Sequence, residues 1–205
     1  HPIPDVNGIR GTSDILRLLS KTGEKDLIIC LISGGGSALL IQPHKEITLH
    51  DIQITSTELL ACGATIDEIN TVRKHLSSIK GGQLARASYP STLITLILSD
   101  VVGDPMDIIA SGPTVPDEST FEDAYAIIQK YSLEEKIPNS VCDFLERGKM
   151  GKIDETPEHG NEIFDNTQNV IVGSNKIALN AAEKRAKDLG YNTIVLSSLV
   201  EGESR

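Results

Sequence analysis

A glycine-rich turn, Ser33-Gly34-Gly35-Gly36-Ser37, has the residue types and spacing that suit an anion-binding site. It follows an apolar run at residues 26–32 and leads into Ala38-Leu39-Leu40, as a strand leads into a helix. Glycines let the backbone approach a ligand closely, successive amides can point into one concavity, and a helix N-terminus adds partial positive charge. The turn therefore predicts a phosphate cradle. The alternative is a tight turn that needs glycine for its backbone alone.

The turn does not match the common nucleotide-binding patterns. Leu39 occupies the position of the third glycine in G-x-G-x-x-G. Lys149 and Lys152 each follow a glycine, but Met and Ile come after them instead of the Ser or Thr of a P-loop. A phosphate site at this turn would therefore be of another kind.

A basic segment at residues 70–82 offers cations for a negatively charged ligand. In a helix, Arg73, Ser77 and Lys80 would lie on one side, because they are spaced by four and three residues. Arg73 and Lys80 are therefore candidates for binding a phosphate or a carboxylate, Arg73 through a pair of hydrogen bonds. The alternative for Arg73 is a solvated helix face, and the alternative for Lys80 is capping carbonyls at a helix end.

Asp100 follows a second apolar run, residues 92–98, and so lies where open parallel sheets place their ligands. Asp100 and Asp104 could share a Mg²⁺ ion, or Asp100 could accept the proton of a substrate hydroxyl. The alternative for Asp100 is an N-cap or a turn role.

Weaker candidates lie further along the chain. Ser111 and Thr114 belong to a loop rich in glycine and hydroxyl groups, and Asn175 follows a strand-to-helix junction, so all three could contact a nucleotide. The histidines lack metal-ligand spacing, and the three cysteines form no C-x-x-C pair. This cysteine pattern argues against a zinc ribbon and against a disulfide framework.

Strands and helices that alternate along the chain would position these residues. Continuous apolar runs predict the strands, while apolar spacing and cap residues, such as the Thr65 and Glu68 capping box, predict the helices. The predicted strands are residues 26–32, 92–98, 169–173 and 193–196, and the predicted helices are residues 13–19, 51–61, 65–78, 121–130 and 176–189. This alternation predicts an α/β, Rossmann-like fold with a mostly parallel sheet and helices on both faces, in three layers.

The composition limits the classes of partner. The 205 residues carry a net charge of −10 without a basic stripe, which argues against binding to nucleic acid. The sequence shows no signal peptide and no apolar run long enough to span a bilayer, so we expect a cytoplasmic location and no membrane partner. The expected ligands are small molecules.

Six stretches, in order along the chain, resemble the class II glycerate kinases, whose C-terminal part carries the MOFRL domain. They are HPIPDVNG (1–8), LISGGGSALL (31–40), NTVRKHLSSIKGGQLA (70–85), LILSDVVGDP (96–105), IASGPTVPDEST (109–120) and VGSNKIALNAA (172–182). The resemblance implies a two-domain enzyme with its active site between a larger Rossmann-like domain and a smaller α/β domain. It also implies phosphoryl transfer from ATP to D-glycerate, with Mg²⁺, to give 2- or 3-phosphoglycerate.

The resemblance also suggests roles for the candidate residues. Phosphoryl transfer depends mostly on positioning and charge neutralisation, so the amides of the turn at residues 33–37 would hold phosphate. Arg73 and Lys80 would neutralise phosphate or the glycerate carboxylate, with Ser37 also near the substrate. Asp100 would hold the metal or orient the attacking hydroxyl. Second-rank contacts would come from Asp104, Ser111, Thr114 and Asn175.

The chain begins at His1 instead of Met and has no clear stop signal, so residues 1–205 are expected to be most of the larger domain. An N-terminal segment and the MOFRL domain are expected to be absent. The family's catalytic lysine lies upstream of the first stretch and an important arginine lies in the C-terminal part. We therefore expect this piece alone to be inactive or severely impaired, and a homodimer is left open.

Two other functions remain open from the sequence. One is an NAD(P)-dependent oxidoreductase resembling hydroxypyruvate reductase, against which the interrupted dinucleotide pattern counts. The other is a non-catalytic module that binds a nucleotide or a sugar acid.

Overall fold

The computed structural model describes residues 4–200, and a parallel three-stranded sheet forms its centre. The strands are β1 (Leu27–Ile32), β2 (Thr92–Leu98) and β3 (Thr167–Gly173), in the order β1-β2-β3. Both β1 and β3 pair with β2 in parallel, so all carboxyl ends meet at one edge. The predicted α/β fold with a parallel sheet is confirmed.

Eight α-helices surround this sheet within the described residues. They are α1 (Val6–Leu19), α2 (Gly36–Leu39), α3 (Leu49–Ala61), α4 (Ile66–His75), α5 (Gln83–Ser88), α6 (Phe121–Lys130), α7 (Asn139–Lys149) and α8 (Asn175–Asp188). Side-chain caps start several of them. The predicted capping box of Thr65 and Glu68 begins α4, and Ser174 caps α8. Among residues 4–200, no helix is both long and apolar enough to cross a membrane.

The largest apolar core lies between helices α3, α4, α6 and α7. It includes Leu59, Val72, Ile128 and Phe144, which are almost completely buried. Two smaller clusters, one around Ile97 and one that contains Leu19, Ile79 and Leu84, include residues from one face of the sheet. This packing fixes α4 and the loop after β2 relative to the carboxyl edge of the sheet.

The opposite face of the sheet carries exposed aliphatic side chains among the described residues. On β1, Leu27, Ile29 and Leu31 are 58%, 60% and 75% exposed, and Val172 on β3 is 53% exposed. Parallel sheets in α/β proteins are normally covered on both faces, which is why their strands are apolar throughout.

Several predicted boundaries differ from the structure. Helix α1 begins at Val6 instead of residue 13, because the Asp5 carboxylate accepts hydrogen bonds from the amides of Asn7 and Gly8 and caps the helix. Helix α4 ends at His75, and α5 and α7 have no counterpart among the predicted helices. The predicted fourth strand was wrong. Residues 193–196 form no strand, because a strand needs a neighbouring edge and they pair with none of β1–β3.

Candidate active-site cleft

The glycine turn and Asp100 meet at the carboxyl edge of the sheet. Ser33 follows β1 and Asp100 lies just after β2, and the parallel pairing of these strands brings the two segments side by side. A Cβ atom at Gly34 would overlap the carboxylate of Asp100. Glycine at this position therefore allows the Asp100 carboxylate to lie against the backbone of the turn.

A cleft of about 390 Å³ opens at this edge. Its walls come from the turn at residues 33–37, from helices α3 and α4, and from the segments that follow β2. Among the predicted site residues, the cleft is lined by Ser33, Gly34, Gly35, Gly36, Ser37, Arg73 and Asp100. The structure thus brings the glycine turn, one predicted cation and the first predicted carboxylate to one cavity.

The turn can bind an anion mainly through its amide groups, since the dipole of the short helix that follows adds little. Gly35 has a φ of 83°, a left-handed conformation that glycine adopts without strain. The helix that follows, α2, has only 4 residues, so few peptide dipoles add up along its axis. The first turn of a helix leaves its N–H groups without partners inside the helix, so the amides of Gly36 and Ser37 are available to a ligand.

Arg73 provides a half-buried positive charge on the wall formed by α4. Its Nε atom donates to the Ser56 hydroxyl on α3 at 3.4 Å. Loss of hydration on burial lowers the pKa of Arg73, although a guanidinium stays charged at neutral pH. The side chain is therefore held in the cleft with donors that suit a carboxylate or a phosphate.

Lys80 lies beneath the turn and does not line the cleft. It is only 2% exposed, and its Nζ atom donates to the Ser37 carbonyl at 2.9 Å. Burial, and then the nearby charge of Arg73, lower the pKa of Lys80 to about 7. Because α4 ends at His75, the predicted helical face shared by Arg73, Ser77 and Lys80 does not form.

Ser111 joins the turn to α4 from behind the cleft. Its hydroxyl donates to Asn70 Oδ1 at 3.0 Å and lies 3.2 Å from the hydroxyl oxygen of Ser37. Ser111 is 0% exposed and Asn70 is 2% exposed, but Asn70 lines the cleft. Ser111 therefore makes its hydrogen bonds inside the protein, and its predicted nucleotide contact stays a prediction.

Three other predicted site residues lie outside the cleft. Thr114 donates to Asn169 Oδ1 at 2.6 Å, which ties its loop to β3. Asp104 has a φ of 58° in the loop after β2, and Asn175 is exposed, with its Nδ2 donating to the Ser198 carbonyl. Residues 4–200 contain no group of three His, Cys, Asp or Glu side chains placed to hold a metal ion.

Some residues of the cleft were not predicted from the sequence. Asn70 lies three residues before Arg73 on α4, and α3 contributes Gln53, Ser56, Thr57 and Leu60. Positions spaced by three and four residues share a helix face, and the polar residues in this set were the available signal. That signal does not show which face turns towards the glycine turn.

A buried ion pair joins α4 to the loop between β2 and α6. Lys74 Nζ lies 3.1 Å from Asp117 Oδ1, and their side chains are 6% and 1% exposed. Asp117 also accepts hydrogen bonds from Ser119 and Thr156. This network anchors the loop between β2 and α6 to the helix that carries Arg73.

The fold and the cleft define a parallel α/β domain with a cleft at the carboxyl edge of its sheet, lined by the glycine turn, Arg73 and Asp100. Comparison with known families is more specific. The chain belongs to the family described as a domain of unknown function, DUF4147, which matches residues 1–146.

Relatives named for an activity match almost the whole chain. A glycerate 2-kinase of Pyrococcus horikoshii is 45% identical over 205 residues, which is 100% of this chain and 46% of that protein. A putative hydroxypyruvate reductase of Agrobacterium vitis is 46% identical over 100% of this chain and 44% of its own length. A crystal structure of a glycerate kinase from Thermotoga maritima superposes with a TM-score of 0.83 at 41% identity, over 94% of this chain and 43% of that one. The chain thus spans less than half the length of these relatives.

Proposed function

We propose that this chain forms the larger part of a phosphoryl-transfer site in an enzyme that phosphorylates D-glycerate with ATP. The observation that carries the proposal is the cleft in which the glycine turn, Arg73 and Asp100 face one space. The supporting comparison is the 45% identity, over the whole chain, to a protein named glycerate 2-kinase.

The groups of the cleft suit the two ligands of this reaction. The amides at residues 34–37 can bind the oxygens of a phosphate, which carry most of the charge that must be stabilised. Arg73 can bind the glycerate carboxylate through two parallel hydrogen bonds. Asp100, exposed beside the turn, can orient the hydroxyl that attacks the phosphorus.

Lys80 has a different place in the proposal from Arg73. Its Nζ atom holds the Ser37 carbonyl from below, so we assign it to the support of the turn and not to direct contact with phosphate. The predicted ligand contacts of Asp104, Thr114 and Asn175 stay predictions, and the proposal does not use them.

One carboxylate of the cleft suits a Mg²⁺ ion. Mg²⁺ in phosphoryl-transfer sites often takes one or two carboxylates, with substrate phosphates and water completing its shell. Asp100 lines the cleft next to the amides, whereas Asp104 does not line it. Asp100 is therefore the residue that would hold the ion, and the ion would neutralise charge on the nucleotide phosphates.

The complete enzyme would need more than this chain. The resemblance to class II glycerate kinases implies a lysine before the first matching stretch and an arginine in a C-terminal domain. We infer that residues 1–205 contribute most of the larger domain and that the cleft is completed by the rest of the protein. This chain alone should therefore be inactive or severely impaired.

The test is the reaction of the full-length gene product. With ATP, Mg²⁺ and D-glycerate, we expect ³¹P NMR to show phosphoglycerate, and the position of its phosphate distinguishes the 2- from the 3-isomer. The competing activity is hydroxypyruvate reduction, which the name of one relative suggests for that protein. Oxidation of NADH or NADPH by hydroxypyruvate, without any phosphoglycerate, would overturn the proposal.

A further inference from the structure

Ser111 is buried between two residues of the cleft, on an unusual backbone. Three consecutive residues, Ala110, Ser111 and Gly112, have positive φ values of 53°, 62° and 57°. Residues other than glycine adopt this region at a cost, and such strain is maintained only where the surroundings demand it. The strained backbone therefore indicates that the position of the Ser111 side chain matters.

The surroundings hold this segment firmly. The amide of Gly81 donates to the Ser111 carbonyl at 3.0 Å, and that of Gly82 donates to the Gly112 carbonyl at 2.8 Å. On the other side, a Cβ atom at Gly36 would lie 2.8 Å from the Ala110 Cβ. The strained segment is thus wedged between the glycine turn and the segment after Lys80.

The chemistry of the hydroxyl groups gives the hydrogen bonds one direction. The amide oxygen of Asn70 can only accept, so Ser111 must use its one proton towards Asn70. Ser111 then has only lone pairs for Ser37, and Ser37 must donate its own proton to Ser111. The Ser37 oxygen is left with lone pairs alone, and Asn70 keeps both Nδ2 hydrogens for other partners.

We propose that Ser111 is a positioning residue that makes Ser37 a hydrogen-bond acceptor, and Asn70 a hydrogen-bond donor, on the wall of the cleft. Such a pair fits a ligand that offers a hydroxyl proton to Ser37 and an anionic oxygen to Asn70, which is the chemistry of a hydroxy acid. The identity of that ligand as D-glycerate rests on the proposed function. The direction of the hydrogen bonds does not.

The variant that tests this role is Ser111→Gly in the full-length protein. Glycine removes the hydroxyl and tolerates a φ of 62°, so the backbone keeps its conformation. We expect kcat/KM for D-glycerate to fall by about tenfold or more, since the buried Asn70 oxygen loses its donor. The KM for ATP should stay unchanged. The matched control is Ser88→Ala, which removes another buried hydroxyl, one that donates to Leu84 within its own helix.

A double-mutant cycle separates positioning from general damage. Because Ser111 acts through Ser37 as well as through Asn70, adding Ser111→Gly to Ser37→Ala should lower kcat/KM by a smaller factor than adding it to the wild type does. Full additivity of the two losses, or wild-type kinetics in Ser111→Gly, would overturn the proposal.

A measurement without ligand keeps this test independent of the proposed function. In the ligand-free protein, the side-chain amide signals of Asn70 in ¹H–¹⁵N NMR spectra should shift in Ser111→Gly and stay in place in Ser88→Ala. If the wild type fails to phosphorylate D-glycerate, the proposed function fails, and these signals alone decide the role of Ser111. Unchanged Asn70 signals in Ser111→Gly would then overturn it.

Discussion

Gly34 and Asp100 lie side by side in the cleft. A side chain at residue 34 would force the Asp100 carboxylate to move, because its Cβ would overlap that carboxylate. We expect Gly34→Ala to displace Asp100 and reduce kcat of the full-length enzyme by at least about 100-fold, the scale of losing a correctly positioned catalytic group. The control variant is Gly23→Ala, because a Cβ atom at Gly23 would meet nothing within 4 Å. Gly190 would not serve as a control, because its φ is positive.

The thermal midpoints of the two glycine variants should show whether a loss of activity comes from the site or from unfolding. Gly23→Ala should keep both the activity and the thermal midpoint of the wild type. Gly34→Ala should keep its thermal midpoint within a few degrees, since the turn lies at the edge of the cleft. Wild-type kcat in Gly34→Ala would show that Asp100 need not occupy its observed position.

The buried amine of Lys80 gives a pH dependence with a definite sign. The pKa of Lys80 is lowered from 10.5 to about 7 in the folded protein, so between these values the unfolded chain binds more protons. The free energy of unfolding should therefore rise as the pH increases through this window. Lys80→Met, which keeps the length of the side chain and cannot be protonated, should lack this contribution.

The measurement is urea denaturation of the full-length protein and of Lys80→Met across that window. The difference between the two unfolding free energies should be constant below pH 7 and should move in favour of the wild type up to about pH 10.5. A difference that does not change with pH would contradict the burial of Lys80 as an ionisable group.

At the scale of elements, α4 carries Asn70 and Arg73 and is held at both of its ends. Glu68 completes the capping box and also accepts from Lys130, the last residue of α6, and from Tyr131, which follows it. The hydrogen bond from Lys130, followed by the Thr65 amide, lowers the pKa of Glu68 to about 2. The opposite side of the helix is tied down by Lys74 through its buried pair with Asp117.

The pair of Lys74 and Asp117 should matter most to stability. Asp117→Ala would leave the buried ammonium of Lys74 with the more distant and half-exposed Asp107 carboxylate at 3.9 Å, and we expect a loss of about 3 kcal/mol in unfolding free energy. Glu68→Gln removes the charge of a partly buried carboxylate at a cap but keeps a hydrogen-bonding side chain, and it should cost only about 1 kcal/mol. Denaturation of both variants tests the ranking. A smaller loss in Asp117→Ala than in Glu68→Gln would contradict the assignment of the buried pair.

Local signals in the sequence predicted the elements that depend on local chemistry. β2 was predicted at its observed bounds from an uninterrupted apolar run, and the starts of α4 and α6 were predicted from Thr-based caps. The apolar residues 193–196 do not form a strand, since pairing depends on a distant edge that a local pattern does not specify. For the same reason the sequence could not show which face of α3 lines the cleft.

The residues of the candidate site also divide into those predicted from local signals and those whose positions depend on long-range packing. The glycine turn, Arg73 and Asp100 were predicted from residue type and position, and the structure brings all of them to the cleft. The positions of Lys80 and Ser111 depend on how distant segments pack, so the sequence placed both at the ligand whereas the structure buries both. Asn70 was missed because its neutral side chain gives no charge signal.

At the scale of the whole molecule, the exposed apolar face of β1 indicates that further protein packs against this chain. A stripe of Leu27, Ile29 and Leu31 is unusual on a free surface of a parallel sheet. The curated relatives are more than twice as long, and we expect the additional chain of the full-length protein to cover this stripe.

Cysteine labelling of the native full-length protein checks this expectation. A Leu31→Cys variant should react slowly with a maleimide, because the stripe is covered. A Met150→Cys variant, at a 57% exposed position beyond α7, should react rapidly. Equal rates at the two positions would show that the stripe is open to solvent in the complete protein.

The central claim is that the cleft beside Asp100 transfers a phosphoryl group to D-glycerate. Its most direct test is the rate of phosphoglycerate formation by the full-length wild type, by Asp100→Asn, and by Asp143→Asn at an exposed position of α7. We predict phosphoglycerate from the wild type and from Asp143→Asn at equal rates, and a fall in kcat of about 10³-fold or more in Asp100→Asn, within the range of general acid–base and charge effects. Near-wild-type turnover in a folded Asp100→Asn variant would contradict the account.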